Sequence, residues 1–192
     1  MAYHHSMEPR PSAPPQRPAA PPVAWWVATG FGSGLLKPAP GTWGSLAGLL
    51  AWVGLVLGTR TWPPPVALGL GLAAPLLVTL LGVWAADRVA HATGTKDPSF
   101  IVIDEWAGQW LALTPLLFTH ALHPQPWGAW ALRLAVPFAL FRLFDIWKPG
   151  PVDAAQRLPG GLGIVLDDVV AGLLAALLAW PVDLWLGGWL PR

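Results

Sequence analysis

Apolar residues run along this chain in long uninterrupted stretches, without the alternation or one-sided striping of a soluble domain. No charged side chain occurs in the 22 positions between Lys37 and Arg60, the 26 between Arg60 and Asp87, or the 27 between Glu105 and Arg133. A shorter gap of 14 separates Asp168 from Asp183. A helix crosses a hydrocarbon layer of about 30 Å with about 20 mostly apolar residues. The runs predict helices near 43–58, 64–86, 105–122, 128–147 and 165–187. Pro75, Pro115, Pro137 and Pro181 fall inside them. Each removes a backbone hydrogen bond and tends to kink its helix, which membrane bundles tolerate better than soluble ones. A soluble bundle of this size needs polar outer faces, and these runs supply none. The expectation is an all-α, polytopic membrane bundle of four to five helices. Its last segment, broken by Pro181 and Asp183, is either a span or an interfacial helix.

Composition sharpens this picture. Hydrophobic residues make up 54% of the 192 positions and charged residues 11%, against about 25% charged in an average soluble domain. A net charge of +1 without a basic stripe excludes an electrostatic nucleic-acid binder. The absence of cysteine removes disulfides, thiolate nucleophiles and cysteine-based zinc sites. Seven prolines within residues 1–22 mark a disordered, polyproline-leaning tail over 1–24. Residues 25–192 form the membrane-embedded domain.

The few charges are gathered. Segments 87–105 and 142–168 hold 13 of the 21 charges and eight of the ten acids. Threading five helices back and forth through a bilayer brings both segments to one face. That face receives eight Lys and Arg side chains against three on the other, so it is expected to be cytoplasmic. Snorkelling anchors account for the basic residues there, but short carboxylates gain little from lying at span ends.

Asp104-Glu105 opens a helical run after Ile101-Val102-Ile103, and Asp167-Asp168 repeats the arrangement after Gly160-Gly161-Leu162-Gly163-Ile164. Two acidic doublets beside apolar spans are costly unless paired or bound to a cation. Helix capping is the plainer reading, but one acid per helix suffices for it. Arg142, Asp145 and Lys148 share a helix face at successive i,i+3 steps, and Pro149 ends the run. They form either a structural ion-pair ladder or a further metal carboxylate between two phosphate-binding cations. Gly30-Phe31-Gly32-Ser33-Gly34, followed by Pro40-Gly41-Thr42-Trp43-Gly44-Ser45, is a glycine-rich loop opening a helix. It suits an anion cradle or a tight membrane re-entry turn. Asp87 and His91, at i,i+4, read as a helix-surface contact. His120 and His123 read as solvated turn residues.

In order along the chain, the glycine-rich loop, Lys96-Asp97-Pro98 with Asp104-Glu105 and Gly108, Phe141-Arg142 with Asp145 and Lys148-Pro149, and Gly160-Gly161-x-Gly163-Ile164 with Asp167-Asp168 and Ala171-Gly172 resemble the phosphatidylglycerophosphatase A family. The resemblance covers about residues 27–180. It implies an all-helical protein of the bacterial inner membrane, with a phospholipid substrate and magnesium (Mg2+) as cofactor. The implied reaction converts phosphatidylglycerophosphate to phosphatidylglycerol and phosphate. Oxygen donors, the only metal-ligand type in the acidic blocks apart from the outlying His91, suit that hard cation. The expected catalytic and metal residues are Asp104, Glu105, Asp145, Asp167 and Asp168, with Asp97 in or near the metal shell. Lys96, Arg142 and Lys148 are expected to bind the substrate phosphate, with Gly32, Ser33 and Thr42 of the loop. Two other classes compete. A head-group phosphotransferase would carry its aspartates in one segment, and a carboxylate-lined carrier would place ionisable groups near span centres.

Overall fold

The computed structural model describes residues 19–119 and 127–189. They form helices α1 (Pro22–Ala28), α2 (Pro40–Thr59), α3 (Pro64–Thr93), α4 (Ile103–Leu113), α5 (Leu116–Thr119), α6 (Trp127–Trp147), α7 (Gly150–Gln156) and α8 (Gly160–Trp189), with a 3-10 turn over Ser33–Leu35. No strand occurs among the described residues. Local sequence explains many of the boundaries. Proline stands in the first positions of α1, α2, α3 and α7, where its fixed φ suits a helix and its missing N–H costs nothing. Gly94 takes a left-handed φ of 69° after α3 and donates its N–H to Ala90 O, a helix stop that favours glycine.

The all-α expectation holds, and the five predicted helices correspond to α2, α3, α4, α6 and α8, though a count of four to five is loose for the whole set. Eight are present among the described residues, because α1, α5 and α7 are short elements of seven, four and seven residues. The helix expected over 105–122 stops at Leu113, since Pro115 cannot continue the ladder and α5 starts afresh at Leu116. The helix expected from 165 starts at Gly160. Helix α1 begins inside the stretch expected to be tail, and its Ala24 is fully buried. His120 and His123, and residues 1–18 of the expected tail, lie outside the described residues.

Three helices are long and apolar enough to cross a membrane: Pro40–Thr59, Pro64–Thr93 and Gly160–Trp185. Their outward leucines, including Leu76, Leu77 and Leu80 of α3 and Leu173 and Leu177 of α8, are exposed. This is the surface of a membrane protein. Helix α6 is 21 residues long but carries Arg133, Arg142 and Asp145, all turned inward.

Helix α4 is the hub, packed on α2, α3, α6 and α8. Small residues let the backbones close in. A Cβ on Gly108 of α4 or Gly172 of α8 would run into the other helix's backbone. Gly48 of α2 lies against Trp106, and Trp110 Nε1 donates to Gly48 O at 2.7 Å. Helices α6 and α8 run antiparallel, so the end of α6 and the start of α8 meet the start of α4 at one end of the bundle.

Candidate functional site

The start of α4 is fixed by its apolar lead-in. Ile101, Val102 and Ile103 are buried, and Val102 donates its N–H to Ala28 O at 2.8 Å. The glycines of the 30–45 loop close over this strip: a Cβ at Gly34 or Gly44 would strike Phe100 or Val102. Asp104 and Glu105 therefore stand in the first turn of a clamped helix. Glu105 is buried and accepts a hydrogen bond from Ser45 Oγ at 2.7 Å. A Cβ at Gly41, one turn before Ser45, would collide with the Glu105 carboxylate.

Arg142 reaches in from α6. Its Nη1 pairs with Glu105, lies 2.8 Å from Asp145 Oδ2 and donates to Ser45 Oγ at 3.2 Å. One turn on, Lys148 ends the helix in a left-handed conformation, φ 48°, with its N–H bonded to Phe144 O. A non-glycine residue rarely holds that conformation. Here the turn aims Nζ at Asp167 Oδ2, 2.7 Å away, and toward Asp145 Oδ1 at 3.4 Å. Burial disfavours the Lys148 charge. The bond to Asp167 and the attraction of Asp167, Asp168 and Asp145 outweigh it and hold the ammonium above the ordinary lysine range. The result is a row of alternating charge, Glu105–Arg142–Asp145–Lys148–Asp167, built from α4, the end of α6 and α8.

Two acids flank the row without an ion-pair partner among the described residues. Asp104 Oδ1 accepts the Glu105 N–H at 3.0 Å. Asp168, 3% exposed, is surrounded by the fields of Glu105, Asp145, Asp104 and Asp167. Of the two readings of Arg142, Asp145 and Lys148, the ion pairs of the ladder are present, and they extend to Glu105 of α4 and Asp167 of α8.

The remaining expected residues are placed differently. Lys96 and Asp97 are exposed on the α3–α4 connection; Asp97 acts on Asp104 through its field, and Lys96 makes no ion pair among the described residues. Gly32 and Ser33 do not present a free cradle. Their N–H groups bond to Thr29 O and Gly30 O, and Ser33 Oγ bonds to Gly30 O. The loop's glycines serve close packing on α4. Thr42 is exposed at the start of α2. The sequence pattern does not reveal the roles of two further residues. Ser45 stands in a motif with no role of its own, and its burial against Glu105 depends on a contact 60 positions away. Asp87, expected as a helix-surface group beside His91, also accepts the N–H of Gly161 at 3.1 Å and so holds the start of α8.

The donor set is one of carboxylate oxygens, suited to a hard divalent cation. No three acidic or histidine side chains among the described residues already converge as a formed metal site, because Arg142 and Lys148 occupy the faces of Glu105, Asp145 and Asp167. Asp168 supplies the fit. A carboxylate this buried, among four others and with no cation within ion-pair distance among the described residues, leaves room for a further positive partner beyond the fields of Arg142 and Lys148.

Fold and site together define a membrane-embedded helical protein with an acidic and basic centre suited to phosphate at one end. Residues 26–183 match the phosphatidylglycerophosphatase A family, and the chain belongs to it. It is 37% identical over 163 residues to phosphatidylglycerophosphatase A of Haemophilus influenzae, covering 83% of this chain and 88% of that one. Identity to phosphatidylglycerophosphatase A of Escherichia coli is 36% over 152 residues, or 78% and 77% of the two chains. A Bacteroides thetaiotaomicron protein named as a candidate phosphatidylinositol-3-phosphatase is 36% identical over 163 residues, 85% and 94% of the two. No solved structure matches.

Proposed function

We infer that this chain is a lipid phosphatase that hydrolyses phosphatidylglycerophosphate to phosphatidylglycerol and phosphate in phospholipid biosynthesis. The observation that carries the reading is the row in which Arg142 and Lys148 sit between three carboxylates at the end of the bundle. Two partly buried cations held ready between carboxylates match a phosphate monoester dianion. The eight-to-three bias of Lys and Arg supports reading this end as the cytoplasmic face of the bacterial inner membrane. Acyl chains then remain in the bilayer while the head group reaches the row.

In this mechanism Arg142 and Lys148 turn from their carboxylates toward the phosphoryl oxygens and neutralise charge as it builds. Water adds its oxygen to phosphorus as the bond from phosphorus to the glycerol oxygen breaks. A carboxylate outside the row's ion pairs, Asp104 or Asp168, takes the water's proton, a proton from solvent completes the departing glycerol oxygen, and the carboxylate gives its own back to solvent. Magnesium would be held by carboxylates drawn from Asp104, Glu105, Asp145, Asp167 and Asp168, with Asp97 nearby. It supplies Lewis-acid polarisation of the phosphoryl group and lowers the pKa of water.

The test is phosphate release by the purified protein in detergent, with and without magnesium, from phosphatidylglycerophosphate and from phosphatidylinositol-3-phosphate. Release from the first substrate, lost with a chelator and restored by magnesium, is expected. Faster turnover of the inositol lipid moves the substrate assignment to that head group, and turnover unaffected by chelation removes the metal.

A further inference from the structure

At the end of the bundle away from the acidic centre, a second ion pair ties α6 to α8. Arg133 Nε lies 3.6 Å from Asp183 Oδ1, with the two side chains 2% and 5% exposed. Charges so deep in an apolar bundle are expensive to bury, and nothing in the phosphate chemistry uses them. Beside the pair is a cavity in which the centre of a water molecule can range over about 10 Å³. It is lined by Arg133, Asp183, Ala112, Pro115, Pro137 and Ala179. Arg133 Nη1 is buried without a hydrogen-bond partner among the described residues. Proline gathers around this point: Pro115 separates α4 from α5, while Pro137 and Pro181 lie within the continuous helices α6 and α8.

Register between packed helices is normally set by side-chain ridges lying in grooves. Here a water-sized void lies among the ends of α4, α6 and α8 beside the pair, so apolar packing is incomplete at this level of the bundle. An apolar pair would be satisfied at several settings, whereas a buried charge pair is satisfied at one. We propose that Arg133 and Asp183 are a positioning pair that pins the register of α6 against α8 and thereby aligns Arg142 and Lys148 with Asp167 and Asp168. Arg142 lies nine residues along α6 from Arg133, and Asp168 lies fifteen residues before Asp183 on α8. At about 1.5 Å per residue these arms are about 14 and 22 Å long. Axial slip at the pin is carried along both helices to the Lys148–Asp167 contact. A misplacement of about 1 Å at a reacting centre can cost roughly 100-fold in rate.

The experiment separates register from stability. The double variant Arg133→Met/Asp183→Leu keeps the volume and removes both buried charges, so it should melt no lower than wild type. Because the chain has no cysteine, spin labels at Ala139→Cys on α6 and Leu173→Cys on α8, both exposed, report the helix-to-helix distance directly. In the double variant the distance distribution is expected to broaden and kcat to fall roughly ten-fold with KM nearly unchanged. Arg133→Lys, which keeps the charge, should retain a narrow distribution. Wild-type distances in the double variant, or a broadened distribution with kcat within two-fold of wild type, overturn the proposal. Should the double variant fail to fold, Asp183→Asn is taken through the same measurements, and either of those two results overturns the proposal there as well. The kcat arm rests on the proposed phosphatase reading. The spin-label arm does not, so a wild-type protein inactive on both lipids would sink that reading and leave the pin to be judged by distances.

Discussion

Arg142 meets two carboxylates and a hydroxyl from three helices, a task that suits a planar fork better than a point charge. Arg142→Lys keeps the charge and loses the fork. It is expected to reduce kcat/KM for phosphate release roughly 100-fold, with expression in the membrane unchanged. Retention of most activity would show that the row needs only a positive charge. Asp168 makes the complementary case, a buried acid with four acidic neighbours and no ion-pair partner among the described residues. Asp168→Asn removes repulsion without changing shape, so the melting temperature should hold or rise. With the carboxylate a proposed metal ligand, turnover should fall by orders of magnitude. A variant that instead unfolds while keeping its specific activity would mark Asp168 as a structural group.

Between elements, the closest approach is that of α4 and α8 at Gly108 and Gly172, where there is no space for a side chain. Gly172→Val is expected to abolish folded protein in detergent extracts. Gly54→Ala, in open space on α2, should be neutral or stabilising by up to about 1 kcal/mol; equal yields of the two variants would contradict the packing described. Much of this level was legible in the sequence, because charge-free runs report helices whatever packs on them. The boundaries of α2 and α6 lie close to those runs, whereas α3 continues through Asp87 and Arg88 to Thr93, seven residues past its own. Glycines hid one boundary: the charge-free run put the last helix near 165, yet Gly160, Gly161 and Gly163 begin α8, their bare backbone fitting against Asp87, Val83 and Leu158. Gly30–Gly34 read as either an anion cradle or a tight re-entry turn, and their backbone N–H groups bond back to α1 and the loop itself. The acids and their cations were legible as a cluster. Their pairing was not, since Ser45–Glu105 and Lys148–Asp167 join residues that no local period connects.

For the whole molecule, the charged row lies at one end of the bundle, with apolar helices filling the distance to the other. The reaction therefore has a side. Lipid in the leaflet facing the row is substrate, and the same lipid in the opposite leaflet is out of reach, because a phosphorylated head group crosses hydrocarbon only at high cost. In sealed vesicles carrying the protein in one orientation, with phosphatidylglycerophosphate in both leaflets, hydrolysis should halt near about half of the total and resume when detergent opens the bilayer. Reporter fusions at residues 97 and 155 should find both on the cytoplasmic side, and a periplasmic signal at either would reverse the orientation. A one-sided enzyme makes its product in one leaflet. The supply of phosphatidylglycerol to the other leaflet is then limited by lipid translocation rather than by this catalyst, and phosphate is released into the compartment that the row faces.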